Sequence, residues 1–340
     1  MFKKFLDVIK DTIKEEYKFI IALIIIYFIF QIPLNYYIIV GGGISDVESR
    51  IEVENSNSSK GSFNISYVEE LKGTLLTYGL SYIIPTWERE SANDYKYTEK
   101  ESIADIEFRS DLDLTAANEK AKYWAYTLAN KEIKEKSSKM YVITILDGSD
   151  GTLKVQDQIL SIDGKEYDNL QDYVKYIQSL KAGDVVSIKL LRNGREKTVK
   201  TKLFEKDGRI LTGVGMQQII EYDTNPKVNI KFKRAESGSS GGLITTLEIY
   251  NQLTKKDLTK GKKIAGTGTI EMDGTIGEIG GVEYKLLGAS RDNAEVFLVP
   301  AKNNYKQALA YKKKHNLKIK LIPVKDIKSA ISKLESLEWE

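Results

Sequence analysis

The sequence predicts an α+β protein with one N-terminal transmembrane helix and two consecutive domains from residue 140 onward. Three observations lead to this prediction. An uncharged run of 22 residues, 19–40, lies near the amino terminus, and strand-like runs alternate with amphipathic helical patterns after it. In addition, 41% of the 340 residues are hydrophobic, so the chain can bury a sizeable core.

Composition excludes several classes of function. Lysine and arginine number 51 against 48 acidic residues, a net charge of +3 spread along the chain, so we expect no nucleic-acid partner. The absence of cysteine excludes disulfides, thiolate metal sites and a cysteine nucleophile. The single histidine, His315, lies in a lysine-rich run typical of a solvated helix end, whereas catalytic zinc generally needs two or three imidazoles. We therefore expect no metal and no cofactor.

The apolar run 19–40 has the sequence FIIALIIIYFIFQIPLNYYIIV, and a helix of this length just spans a hydrocarbon core of about 30 Å. Five lysines precede it, whereas the first basic residue after it is Arg50, so residues 1–18 should form a cytoplasmic tail. A cleaved signal peptide is the alternative, but its apolar region is typically about 7 to 15 residues long and ends at a small-residue cleavage site. We therefore expect an uncleaved single-pass anchor in the cell membrane, with everything after Val40 outside the cell.

Residues 41–139 are predicted to form an extracytoplasmic β-rich region followed by a helix. Short β-like runs alternate with polar stretches over 44–110, and no motif there indicates a chemistry. The pattern from Thr115 to Asn130 predicts a helix with a threonine cap, which would pack Trp124 and Leu128 inward. Residues 131–139 have the composition of a charged connector.

Residues 140–206 have the element order of a small peptide-binding module. A strand over 141–146, a second strand with a tight turn over 155–165 and an amphipathic helix carrying Leu170, Tyr173, Val174 and Ile177 come first. A strand over 185–191 and an Asn-Gly hairpin follow.

This order resembles a bacterial PDZ domain, although Gln156 stands where that family usually has glycine, and no glycine-rich carboxylate loop precedes Tyr141. The resemblance implies a groove to which an extended peptide or protein substrate adds as a strand. A plain α+β packing domain is the alternative.

Residues 207–340 contain the candidate chemistry. The run Ser237–Gly242 lies between a strand-like segment, 227–232, and a helix-like segment, 243–253. Glycine and serine permit a sharp turn there, and the amides at a helix N-terminus can stabilise an oxyanion. A flexible linker is the alternative, but both flanks carry apolar patterning. A nucleotide-binding loop is excluded because Leu243 follows the glycines, and a Ser-His-Asp hydrolase would have to use His315.

With cysteine absent and histidine unsuitable, a serine paired with a lysine is the natural candidate. A strand over 262–270, a turn at Asp273–Gly274 and a return over 277–282 lead to a helix with Lys285. The segments SGSSGGLITTLEIYNQLT, KKIAGTGTIEMDGTIGEIGGVEYKLLGA and VFLVPAKNNYKQA resemble, in order and spacing, the proteolytic domain of Lon proteases. Together with the predicted span and the PDZ-like module, they resemble the membrane-anchored, ATP-independent Lon-like proteases of Gram-positive bacteria.

The resemblance implies a role for each matching residue. Ser240 corresponds to the nucleophile, Lys285 to the general base and Thr267 to the threonine near that lysine, where it would orient the amine. Ser239 and Gly241 stand where the family has proline and alanine, and Gly241 supports the turn around the nucleophile. As a base, Lys285 must be neutral, which requires its pKa to fall from about 10.4 toward 7 or 8, as burial can achieve.

The function that these residues imply is an ATP-independent serine endopeptidase that cleaves peptides or proteins at the extracytoplasmic membrane face. The alternative is a non-catalytic peptide-binding or scaffolding protein with a degenerate protease-like domain, which the changes at Ser239 and Gly241 motivate. The oligomeric state is left open. A homo-oligomer is one alternative, because Lon-type domains form rings in larger family members.

Overall fold

The structure is a computed structural model that describes residues 2–99, 101–232 and 238–337, with side chains from residue 14 onward. The chain divides into two compact units, one formed by residues 1–41 with 68–95 and the other by residues 42–67 with 96–340. The described helices are α1 (Phe2–Phe30), α2 (Leu75–Leu80), α3 (Ile103–Leu128), α4 (Leu170–Gln178), α5 (Gly242–Leu253), α6 (Val282–Arg291), α7 (Asn303–Lys314) and α8 (Ile327–Glu335).

The strands are β1 (Pro33–Val40), β2 (Ile44–Asp46), β3 (Ile51–Val53), β4 (Ser62–Ser66), β5 (Glu69–Thr74), β6 (Glu88–Ser91), β7 (Glu132–Ile145), β8 (Gln158–Ile162), β9 (Val185–Arg192), β10 (Arg195–Lys202), β11 (Phe204–Lys206), β12 (Arg209–Leu211), β13 (Val214–Asn225), β14 (Val228–Ile230), β15 (Lys263–Gly266), β16 (Thr269–Ile270), β17 (Ile276–Gly277), β18 (Val296–Pro300) and β19 (Lys320–Val324).

The first unit consists of α1, α2 and a three-stranded antiparallel sheet with the order β5-β1-β6. The prediction of one helix over 19–40 is wrong beyond Phe30, because residues 33–40 form β1. Pro33 disfavours helical backbone at the residue before it, and the Tyr-Tyr-Ile-Ile-Val sequence that follows favours a strand. Within the described part of the chain, no helix has the length and apolarity needed to span a bilayer.

The second unit contains a five-stranded, mostly parallel sheet with the order β19-β18-β15-β4-β2. All five residues of β18 are buried, and the first four alternate between two hydrophobic cores. Val296 and Leu298 pack in the core that includes α5 and α8, whereas Phe297 and Val299 pack in the core that includes α6 and α7. The sheet is therefore covered by helices on both faces, as its continuous apolar strands require.

Two strands of this sheet come from the segment in which the sequence indicated no chemistry. β4 pairs in parallel with β15, with Ser62 opposite Lys263, and β2 forms the edge next to β4. The sheet that carries the candidate site is therefore not confined to residues 207–340.

A second five-stranded sheet, with the order β10-β9-β8-β7-β13, packs with α4 around its own core. The prediction of a charged connector over 131–139 is wrong, because β7 begins at Glu132 and pairs with β13. Charged side chains are accommodated there by cross-strand partners, since the Lys139 ammonium contacts the Glu221 carboxylate.

Helix α3 is longer than predicted and begins at Ile103 rather than at Thr115. Ser102 caps it through a reciprocal pair of hydrogen bonds with Asp105, whereas Thr115 lies inside the helix and donates to the Asp111 carbonyl. As predicted, Trp124 and Leu128 pack against the core.

Candidate active site

Ser240 lies in the turn that precedes α5 and is tied to the rest of the unit by backbone hydrogen bonds. Its carbonyl accepts from the Gly268 amide at 2.8 Å, and the Gly242 amide donates to the Ser239 carbonyl at 3.1 Å. The Gly238 amide donates to the carbonyl of Ser110 in α3 at 3.2 Å. These bonds support a built turn rather than a free linker. Ser237, the first residue of the predicted run, lies outside the described residues.

Lys285 lies in the first turns of α6, and only 5% of it is exposed. Gly281 precedes the helix with a φ of +64°, a left-handed conformation that favours glycine. The side-chain nitrogen Nζ of Lys285 lies 2.8 Å from Ser240 Oγ and 3.3 Å from Thr267 Oγ1. The structure therefore brings together the two residues that sequence resemblance had paired across 45 positions.

Thr267 connects both residues from the end of β15. Its side chain is fully buried, and its amide donates to the Leu298 carbonyl at 3.1 Å in the central sheet. The Thr267 hydroxyl accepts from Lys285 Nζ and donates to the Ser240 carbonyl at 3.2 Å. One hydroxyl thus fixes the amine and the serine turn relative to the sheet.

Gly241 has a φ of −88°, which any residue can adopt. A β-carbon at this position would lie 2.8 Å from Cδ1 of Ile65, the far end of a flexible side chain. The alanine that the resemblance places here would therefore need only a small movement of Ile65, so the difference between glycine and alanine is mild.

Helix α3 links this turn to neighbouring elements. Its Trp124 indole donates to the Glu271 carbonyl at 2.9 Å, beside the β16–β17 hairpin. Its Asp113 carboxylate accepts from the Gln217 side chain of β13 at 3.0 Å. Burial raises the pKa of Asp113, and the Gln217 hydrogen bond opposes that shift.

Glu248 is a buried carboxyl about two turns along α5, with 1% exposure. It accepts a hydrogen bond from the Gln252 side chain at 2.7 Å, and Gln252 in turn bonds the backbone of Ile51 and Val53 in β3. Burial raises the pKa of Glu248 to about 7, against the smaller effect of the Gln252 hydrogen bond. Among the described residues, no group of three His, Asp or Glu side chains is placed to hold a metal ion.

The second sheet presents β13 as its edge strand next to α4. The Gln218 side chain bridges the two elements, because it accepts from the Leu170 amide at 3.1 Å and donates to the Asp168 carbonyl at 3.0 Å. Near the other end of α4, Gln178 donates to the Ile210 carbonyl at 2.6 Å.

Comparison with known proteins relates these two sheets to two domain families. Residues 131–203 match the family model of the PDZ domain, and residues 233–335 match that of the Lon protease (S16) C-terminal proteolytic domain. The chain contains a PDZ domain and a Lon-type proteolytic domain. The proteolytic domain supports assignment to the serine proteases. No curated protein matches the chain.

Two of the solved structures similar to the chain are PDZ domains. That of the SdrC-like protein of Listeria monocytogenes is 28% identical, covers 23% of this chain and 85% of its own, and has a TM-score of 0.22. That of the SdrC-like protein of Listeria innocua is 29% identical, covers 23% of this chain and 92% of its own, with a TM-score of 0.22.

In and next to the sheet that contains the PDZ match, two backbone features bear on the sequence expectations. A glycine-rich segment does flank the sheet, but Gly213 and Gly215 follow the domain's hairpins instead of preceding Tyr141. Gly213 has a φ of +84°, and Gly215 lies at the start of β13. Gln156, which replaces the usual glycine, has a φ of +75°, so the backbone there keeps the conformation that glycine favours.

Within the proteolytic domain, Asn304 is a site residue that sequence reasoning missed. It is 3% exposed, accepts from the Ile279 amide at 2.8 Å and donates to the Ile279 carbonyl at 3.0 Å. It thereby holds the loop that leads to Gly281 and Lys285. The sequence signal for Asn304 was its position in VPAKNN, part of a segment that resembles Lon proteases. That resemblance suggested no role for the residue.

Proposed function

We propose that this chain is an ATP-independent, membrane-anchored serine endopeptidase in which Ser240 and Lys285 form a catalytic dyad. The observation that carries this proposal is the 2.8 Å contact between Lys285 Nζ and Ser240 Oγ, next to a buried threonine. The match to a Lon-type proteolytic domain over residues 233–335 supports it independently.

The proposed reaction begins with the neutral amine of Lys285. It takes the proton of Ser240 Oγ as that oxygen attacks the substrate carbonyl, and the carbonyl oxygen becomes an oxyanion. The ammonium of Lys285 then returns the proton to the leaving nitrogen as the C–N bond breaks, which leaves an ester on Ser240. Lys285 next takes a proton from water, the hydroxide cleaves the ester, and the proton returns to Ser240 Oγ.

The turn before α5 offers donors for the oxyanion. The Gly242 and Leu243 amides are engaged with the carbonyls of Ser239 and Gly268. We assign the oxyanion to the amides of Ser240 and Gly241, which lie at the positive end of the α5 dipole. In this scheme Thr267 positions the amine, and Gly241 permits close approach of the substrate.

The PDZ domain is proposed to capture the peptide or protein substrate. The edge strand β13 beside α4 is the place at which an extended peptide can add to the sheet. The bond between the Gln218 side chain of β13 and the Leu170 amide at the start of α4 would have to break or leave room for the peptide.

The site of action is proposed from charge and hydropathy. Five lysines precede the apolar part of α1, so the amino terminus would be cytoplasmic and both domains extracellular. Degradation of the chain by protease added outside intact cells would support this topology, and protection would contradict it.

An activity-based serine probe separates the endopeptidase from a non-catalytic scaffold. We expect it to label the wild-type chain at Ser240 and to leave Ser240→Ala unlabelled, with Ser239→Ala as the matched control that keeps its label. A wild-type chain that is folded but not labelled would instead favour the scaffold. Sedimentation of the same samples tests whether the chain forms a homo-oligomer.

A further inference from the structure

An uncharged segment of 15 residues, 73–87, interrupts a chain in which 29% of residues are charged. It has the sequence GTLLTYGLSYIIPTW between Lys72 and Glu88 and includes α2. Several of its large apolar side chains point to solvent: Ile83 is 75% exposed and Tyr82 67%, and Leu75 and Leu76 are also exposed. Clustered apolar exposure of this kind marks an interaction surface.

The fold returns this segment to the point at which α1 ends. Strand β5 runs antiparallel to β1, with Glu69 opposite Val40 and Thr74 opposite Pro33. The Leu75 amide then donates to the Ile32 carbonyl at 3.1 Å. The first residue of α2 is therefore hydrogen-bonded to Ile32, which lies two residues beyond the end of α1.

The apolar surface of the segment continues that of α1. Large side chains at the carboxyl end of α1 are exposed, among them Ile24, Tyr27 and Phe28. If α1 lies in hydrocarbon, its carboxyl end reaches the headgroup level, where tyrosine and tryptophan are enriched. Tyr78, Tyr82 and Trp87 all lie in the segment.

The segment presents these side chains from a fixed backbone. Thr74 caps α2 through a reciprocal pair of hydrogen bonds with Thr77. The Arg89 guanidinium donates to the Ser81 carbonyl at 3.1 Å and lies 4.0 Å from the centre of the Tyr82 ring. Arg89 thus supports an exposed tyrosine and adds a cation suited to a layer of lipid phosphates.

We infer that residues 73–87 are a membrane-interface platform that lies in the headgroup layer beside the end of α1. This inference rests on the proposed membrane anchor. It identifies the occupant of the surface as lipid, because the surface joins the exposed apolar face of α1 and combines aromatic rings with a basic residue.

The absence of cysteine permits a direct test with single-cysteine variants of the full chain. Ile83→Cys reports the platform, Ile25→Cys reports the anchor, and Glu69→Cys is the control at the far end of β5. Each variant is labelled with a fluorophore and reconstituted into phosphatidylcholine–phosphatidylglycerol vesicles with nitroxide quenchers on the headgroups or on the acyl chains. Circular dichroism verifies that each variant is folded, and labelling of Ser240 by the serine probe tests the dyad separately.

We expect acyl-chain nitroxides to quench position 25 and headgroup nitroxides to quench position 83 several-fold more than position 69. Quenching at 25 with equal, weak quenching at 83 and 69 would overturn the platform and leave the anchor standing; the surface would then serve a protein partner or a second copy. Absence of quenching at both 25 and 83 would overturn the anchor and the platform together. Quenching at 83 alone would contradict the anchor and, with it, the inference that the platform lies beside a membrane-inserted α1.

Discussion

The buried carboxyl of Glu248 should make the stability of the proteolytic domain depend on pH. Burial raises the pKa of Glu248 from 4.5 to about 7 in the folded chain. Between these values the folded state holds a proton that the unfolded state has released. The stabilisation is therefore complete below about pH 4.5 and is lost as pH rises through about 7.

The size of the effect follows from the width of that window. A shift from 4.5 to about 7 corresponds to a loss of about 3 kcal/mol in the free energy of unfolding. Glu248→Gln removes the titration but keeps a side chain that can accept the hydrogen bond from Gln252. We expect the variant to be more stable than the wild type by no more than about 1 kcal/mol near pH 5 and by about 3 kcal/mol near pH 8.

Urea unfolding of the full chain in detergent, measured from pH 5 to pH 8, tests this expectation. The exposed Glu107→Gln on α3 is the matched control and should follow the wild type at every pH. Curves for wild type and Glu248→Gln that stay parallel across the range would refute the reasoning, because they would mean that Glu248 ionises alike in both states.

Three further changes probe the PDZ domain and the loop before α6. Asp157→Ala should lower the free energy of unfolding by about 3 to 5 kcal/mol, because Arg192 loses the buried carboxylate to which its guanidinium donates two hydrogen bonds. A loss below about 1 kcal/mol would contradict this. Gln156→Gly should stabilise the PDZ domain by up to about 1 kcal/mol, because its φ of +75° strains a residue with a β-carbon; a lower melting temperature would count against it. Asn304→Ala should lower kcat for a short peptide about tenfold or more with KM little changed, because the Ile279 loop loses its anchor; a change in KM alone would assign Asn304 to substrate binding instead.

Local chemistry made some of the fold predictable. The Asn193–Gly194 and Asp273–Gly274 turns are hairpins because their residues tolerate the required backbone, and α5 follows its apolar pattern. The run 33–40 was not predictable in this way, since a continuous apolar run has no period that separates a buried helix from a strand. Length favoured a helix, but Pro33 and β1 pairing determined the outcome.

Long-range pairing explains most of what the sequence could not predict. β2 and β4 are three and five residues long, and the sheet partner of β4 lies about 200 positions away along the chain. Segments this short carry little pattern, so their place in the central sheet depends on tertiary contacts. The prediction of a charged connector over 131–139 was wrong for a different reason. Charged residues of this segment form ion pairs across strands instead of being solvated in a loop.

The candidate site was predictable through resemblance rather than through spacing. Ser240 and Lys285 are 45 positions apart, nothing in the segment between them requires them to meet, and the composition offers dozens of other lysines. The roles of the supporting groups were less accessible. Asn304 and the carbonyl of Ser110 act through backbone contacts that no local motif reveals.

The turnover of Lys285→Arg on a short peptide tests the dyad most directly. Arginine keeps the positive charge but, with a pKa above about 12, cannot accept the Ser240 proton. We predict that this variant is inactive while folded, that His315→Ala keeps wild-type turnover, and that wild-type turnover rises with pH as neutral lysine accumulates. Wild-type turnover in Lys285→Arg, or its loss in His315→Ala, would contradict the proposed mechanism.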